Sequence, residues 1–111
     1  MRVNRKSLTN RRPNESLDLV WAGAPLTVCV GFDDEGRVKE VFADHAKVGS
    51  DTHALLSDAL VLTSILLQSG ARISSLARHL GRESVTPGAQ AASALGFIVE
   101  SAARMEAEGD V

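Results

Sequence analysis

The residues with the most chemical capacity in this 111-residue chain lie together in Lys47-Val48-Gly49-Ser50-Asp51. Ser50 is a good helix N-cap, and Asp51 suits the positive end of a helix dipole. Free N–H groups at such a start, with Gly49 and the cation of Lys47, could hold an anion such as a phosphate. Arg11 or Arg12 could join if the N-terminal arm folds back. An ordinary capped helix start accounts for the same residues. The glycine spacing and Lys-Ser/Thr pair of a P-loop are missing, so nucleotide binding does not follow from the spacing.

The remaining reactive side chains are scattered. His45, His53 and His79 lack the spacing of metal ligands and read as surface residues. Cys29 falls mid-strand with no base near it in sequence to make it a nucleophile. Ser57, Asp58 and Ser64 fall on the polar side of a helix, and no nucleophile elbow surrounds either serine. No catalytic residue, metal or cofactor is therefore expected. Residues 71–81, especially Ile-Ser-Ser-Leu-Ala-Arg-His-Leu-Gly, have the rhythm of a helix-turn-helix fragment. The segment that follows, at 82–88, is too short, broken and weakly basic for a recognition helix.

The elements that must position these residues follow from periodicity. Residues 17–21 alternate, with Leu17, Leu19 and Trp21 on one face, and Gly23-Ala24-Pro25 reads as a turn. Residues 26–32 alternate again, with Leu26, Val28, Val30 and Phe32 opposite Thr27, Cys29 and Gly31. Asp33-Asp34-Glu35-Gly36 is a hairpin turn, with Gly36 in the left-handed position. The third strand, 37–42, breaks its alternation at Val41-Phe42. Either a bulge shifts the register or both faces are covered.

Three helices follow. The first spans 51–69 and ends on Gly70. Leu55, Ala59, Leu62 and Leu66 form its stripe, widened by Leu56, Leu60 and Leu67, so it is apolar over most of its circumference. It is either the central core helix or one that packs on the sheet and also on a second subunit. The second helix carries Ile73, Leu76, Ala77 and Leu80, with Ser74 or Ser75 as cap and Gly81 as stop. Residues 82–92 read as a loop. The third helix runs from about Ser93 to about Glu106 and buries Leu95, Ile98, Val99 and Ala102, with a fraying tail to Val111. The expected fold is α+β: a three-stranded antiparallel meander packed on a long central helix plus two shorter helices. Residues 14–106 form that single domain, between a basic arm at 1–13 and a tail at 107–111.

Composition bounds the function. Apolar residues make up 44% of the chain but aromatic ones only 4%, so the core is aliphatic. A single cysteine excludes an internal disulfide, a dithiol redox centre and a four-thiolate metal site, and fits a reducing cytoplasm. The arm has no signal-peptide h-region, and no apolar run is long enough to span a membrane. Five of the 12 basic residues (Arg2, Arg5, Lys6, Arg11 and Arg12) crowd into residues 1–13 without an acidic one, leaving 7 against 14 acidic residues elsewhere. Such an arm reads as a solvated terminus or as a nucleic-acid contact. The aliphatic first helix points to a homodimer.

Val30-Gly-Phe-Asp-Asp-Glu-Gly-Arg37, Glu40-Val-Phe42, Lys47-Val-Gly-Ser-Asp51, Ser64-Ile-Leu-Leu-Gln68, Gly70 and Leu76-Ala-Arg-His-Leu-Gly81, in that order, resemble the TSCPD domain. Arg11-Arg12-Pro13 resembles the segment that leads into it. The similarity covers roughly residues 11–100. The family occurs near the C-terminus of adenosylcobalamin-dependent (class II) ribonucleotide reductases and as free-standing small bacterial proteins. This chain lacks the Thr-Ser-Cys-Pro-Asp motif of the family name and has Cys29 alone. Ribonucleotide reduction requires a radical-bearing barrel and a set of cysteines, which these residues do not supply. The resemblance thus implies a cytoplasmic, non-catalytic accessory module that binds a reductase or other protein, a nucleotide-like anion or a nucleic acid.

Overall fold

The computed structural model describes residues 13–45, 51–81, 91 and 93–109. Strands β1 (Asn14–Trp21), β2 (Ala24–Phe32) and β3 (Val38–His45) form an antiparallel sheet in the order β1-β2-β3. Helices α1 (Asp51–Gln68), α2 (Ile73–Arg78) and α3 (Ala94–Gly109) follow. This is the expected α+β arrangement, with three corrections in the sheet.

The first concerns the β1–β2 turn. It consists of Ala22 and Gly23, at φ 52° and 80°. A two-residue turn with both φ positive matches the right-handed twist of its strands. Ala24 and Pro25, expected in the turn, instead open β2 opposite Trp21 and Val20. Second, β3 continues to His45, three residues beyond its expected end. Third, the irregularity expected at Val41-Phe42 falls at Lys39, where the partners step from Gly31–Glu40 to Phe32–Val38. Val41 and Phe42 then simply alternate. Val41 is buried, while Phe42 stands half exposed on the other face, paired with Cys29.

The β2–β3 turn has the expected form. The Asp33 carboxylate accepts hydrogen bonds from the N–H groups of Glu35 and Arg37, both at 2.9 Å. Gly36 takes φ 80° beneath it.

One face of the sheet supplies Leu26, Val28, Val30, Val38 and Val41 to the core. Leu60 and Leu67 of α1, Ile73 of α2, and Ile98, Val99, Ala102 and Met105 of α3 close over them. Leu19 and Trp21 pack at its margin, while Leu17, expected on the same side, stays nearly half exposed.

The phase of α1 is the main departure. Its buried side is Leu60, Thr63, Ser64 and Leu67, with Leu56 partly buried beside them. Leu55, Leu62 and Leu66, expected in the stripe, face outward. Gly70 terminates the helix as expected, at φ 113°. Its N–H donates to Leu67 O, and that of Ala71 donates to Leu66 O.

Ser74 and Ser75 lie inside α2 rather than capping it. The cap position is Arg72, without a side-chain bond, and the helix stops at Arg78, before Leu80 and Gly81. Ser93 caps α3, its Oγ accepting the Gly96 N–H at 3.0 Å. That helix continues past Glu106 to Gly109.

Candidate functional site

An edge strand presents a row of N–H and C=O groups that must find partners. The most highly organised polar cluster in the described residues answers that need along β3. Ser64 Oγ in α1 accepts the Val41 N–H at 3.0 Å and donates to Val41 O at 3.3 Å. One turn on, Gln68 Nε2 donates to Lys39 O at 3.2 Å. Lys39 Nζ reaches back to Leu67 O at 3.2 Å, a cation on the carbonyl end of a helix.

At the start of β3, Glu106 Oε2 accepts the Val38 N–H at 2.8 Å. Its other oxygen meets Arg72 Nη2 at 3.3 Å. Glu106 is buried and Arg72 half exposed, so the pair closes the corner between β3, α2 and α3. This clamp is structural chemistry: each polar atom used here is occupied by another element of the fold.

Among the described residues no helix packs on the opposite face of the sheet. Across its middle run Ser16, Cys29 and Phe42, one from each strand. Ser16 Oγ donates to Cys29 Sγ at 3.4 Å, and Cys29 is half-buried. Neither direct neighbour is a base, as the nucleophile reading would require. Beside them Thr27 Oγ1 donates to Asp18 Oδ1 at 2.7 Å. Asp18, Glu40 and Asp44 lie on this face, and the register places no Lys or Arg there.

Of the anion cradle, Arg11, Arg12, Lys47, Gly49 and Ser50 lie outside the described residues. Asp51 is the first residue of α1. The arm residues Arg2, Arg5 and Lys6 also lie outside them, as does most of the 82–92 loop. His79 Nδ1 is 2.8 Å from Ser75 O. Ser57 and Asp58 are exposed on α1, whereas Ser64, expected on its polar side, is the buried partner of Val41. Among the described residues no group of three or more His, Cys, Asp and Glu could hold a metal ion. Among the same residues no helix is long and apolar enough to cross a membrane.

Sequence reasoning missed Glu106, Arg72, Ser64 and Gln68. Glu106 carried a signal, since it sits four residues after Ala102 on the stripe that buries Ile98 and Ala102. An acid there must have a buried partner.

A meander with one face and one edge closed by helices defines a small α+β domain. The TSCPD domain model matches residues 4–103, and the chain belongs to that family. No curated protein and no solved structure matches it.

Proposed function

We propose that this chain is a non-catalytic accessory module of deoxyribonucleotide synthesis, docking on a class II ribonucleotide reductase in the cytoplasm. The family match over residues 4–103 carries the reading. Two features support it. Cys29 is the chain's one cysteine and its Sγ lies against Ser16 and beside Phe42, without a base opposite. The polar atoms of the β3–α1 seam are taken up in holding the fold together. The loop at 47–51, with Arg11 and Arg12, is the proposed contact for a nucleotide-like anion or an acidic patch of the partner.

Titration of the purified chain into the cobalamin-dependent reductase of the same genome, followed by calorimetry, tests this. A dissociation constant in the micromolar range or tighter is expected, weakened by Lys47→Ala or by Arg11→Ala with Arg12→Ala. No heat and no co-sedimentation at protein concentrations well above micromolar would overturn it.

A second reading has its own observation, the five cations and no acid in residues 1–13. In it the chain is a small nucleic-acid-binding regulator that grips phosphates through Arg2, Arg5, Lys6, Arg11 and Arg12. The acidic open face of the sheet repels a polyanion, so the arm must carry the contact. Binding to a duplex should then fall steeply with salt, and deleting residues 1–12 should flatten that slope. An affinity indifferent to salt would end this reading.

A further inference from the structure

The outward side of α1 is built like the inside of a protein. Leu55 is 71% exposed, Leu62 62%, Ile65 54%, Leu66 50% and Val61 46%. On a helix of 3.6 residues per turn, Leu55, Leu62 and Leu66 fall in one line, with Ile65 and Val61 beside it. Together they leave about 500 Å² of apolar surface in water, as much as the largest patch of a typical soluble monomer. Asp58 is the charged residue among them.

The rest of the chain has little to cover them with. Residues 1–12 hold Met1, Val3 and Leu8 as their apolar side chains, residues 46–50 hold Ala46 and Val48, and residues 82–90 hold Val85 and Ala89. None of these segments offers a run of large apolar residues at helical spacing. The same helix on another molecule offers that run in full. Two such faces, fully buried against each other, remove about 1,000 Å² from water, the area a biological interface has to reach and the low end of the range, as fits a dimer that exchanges with monomer.

We propose that α1 is the dimerisation helix of this protein, pairing with α1 of a second copy, antiparallel, about a two-fold axis at Leu62. The direction follows from Asp58. In a parallel pair the two Asp58 carboxylates would face each other across the seam. In the antiparallel pair each lies four residues from the axis, which separates them by about 12 Å along the helices. That is beyond the Debye length of about 8 Å at physiological salt, so the repulsion is screened. The antiparallel pair also sets each positive helix end beside a negative one. Leu62 then packs on its own symmetry mate, with Ile65 and Leu66 flanking it, an isologous contact. The proposal uses none of the residues invoked for the proposed function, so the two stand or fall apart.

Sedimentation equilibrium of the full chain tests the proposal, with far-UV circular dichroism to confirm folding. The wild type should sediment as a dimer at micromolar concentration. Leu62→Glu should weaken the dimer on the order of 100-fold while the helical signal persists. Position-specific crosslinking provides a readout independent of stability. In a Cys29→Ser background, Leu62→Cys should link to its symmetry mate through a short bismaleimide, and Asp58→Cys should not. Any one of three results overturns the proposal. The first is a wild type that stays monomeric at high concentration, which leaves the face to a different protein. The second is a dimer indifferent to Leu62→Glu. The third is crosslinking at position 58 in preference to 62.

Discussion

Helix α1 has two sides of nearly equal apolar content and opposite fates. The inner side buries Leu60 and Leu67, with Leu56 beside them; the outer side leaves Leu55, Leu62 and Leu66 in water. Turning the helix about a third of a revolution about its axis would exchange one set of three leucines for the other. Burying a leucine contributes about 1.5–3 kcal/mol on either side, so hydrophobicity alone comes close to a tie. One hydroxyl and one amide break it. Ser64 and Gln68 reach Val41 and Lys39 in the observed orientation. Turned away, they would leave the β3 edge with unsatisfied backbone groups, each costing about 1–3 kcal/mol when buried. A helix can thus be oriented by its least apolar residues when its apolar ones are evenly spread.

That contrast can be broken one position at a time, with urea denaturation as the measurement. Leu60→Ala, on the buried side, should cost about 2–5 kcal/mol, the lost transfer energy plus a cavity beneath the sheet. Ser64→Ala removes few atoms but strands the Val41 N–H, and should cost about 1–3 kcal/mol. A loss as small as that of a surface serine would show that the hydroxyl does not set the helix phase. Gln68→Ala frees one carbonyl at an exposed site and should cost about 0.5–1 kcal/mol. Leu62→Ala removes as many atoms as Leu60→Ala but from the outer side. At protein concentrations low enough to keep the chain monomeric it should change stability by less than about 0.5 kcal/mol. Equal losses at positions 60 and 62 would erase the distinction between the two sides.

Much of this architecture is legible in the residues. Alternation places the three strands, Asp33 and Gly36 place one turn, and Gly70 and Ser93 mark a helix end and a helix start. The positions that resist reading share a cause: their environment is set by residues distant in sequence. Ser64 reads as surface because its partner is a strand edge 23 residues earlier. The α1 stripe cannot be phased because the helix is apolar nearly all round. Val41-Phe42 suggests a defect until the register shows Phe42 lying on the face opposite the core. Ala22 carries no turn signature, since a non-glycine residue rarely takes positive φ. Of the proposed anion-binding residues, the motif order made the TSCPD family legible, whereas the loop that would bind lies outside the described residues.

The Glu106 carboxylate has a consequence for how the chain is made. It accepts the Val38 N–H across 68 residues of sequence and ties in Arg72 across 34. A ribosome adds about 5–20 residues per second, so Val38 emerges several seconds before the group that satisfies it. During that interval the Val38 N–H at the start of β3 lacks the acceptor it has in the finished fold, while Ser64 and Gln68 already serve Val41 and Lys39. A chain ending before position 106 leaves the Val38 N–H and Arg72 without this carboxylate, and should unfold at a lower urea concentration than the full chain.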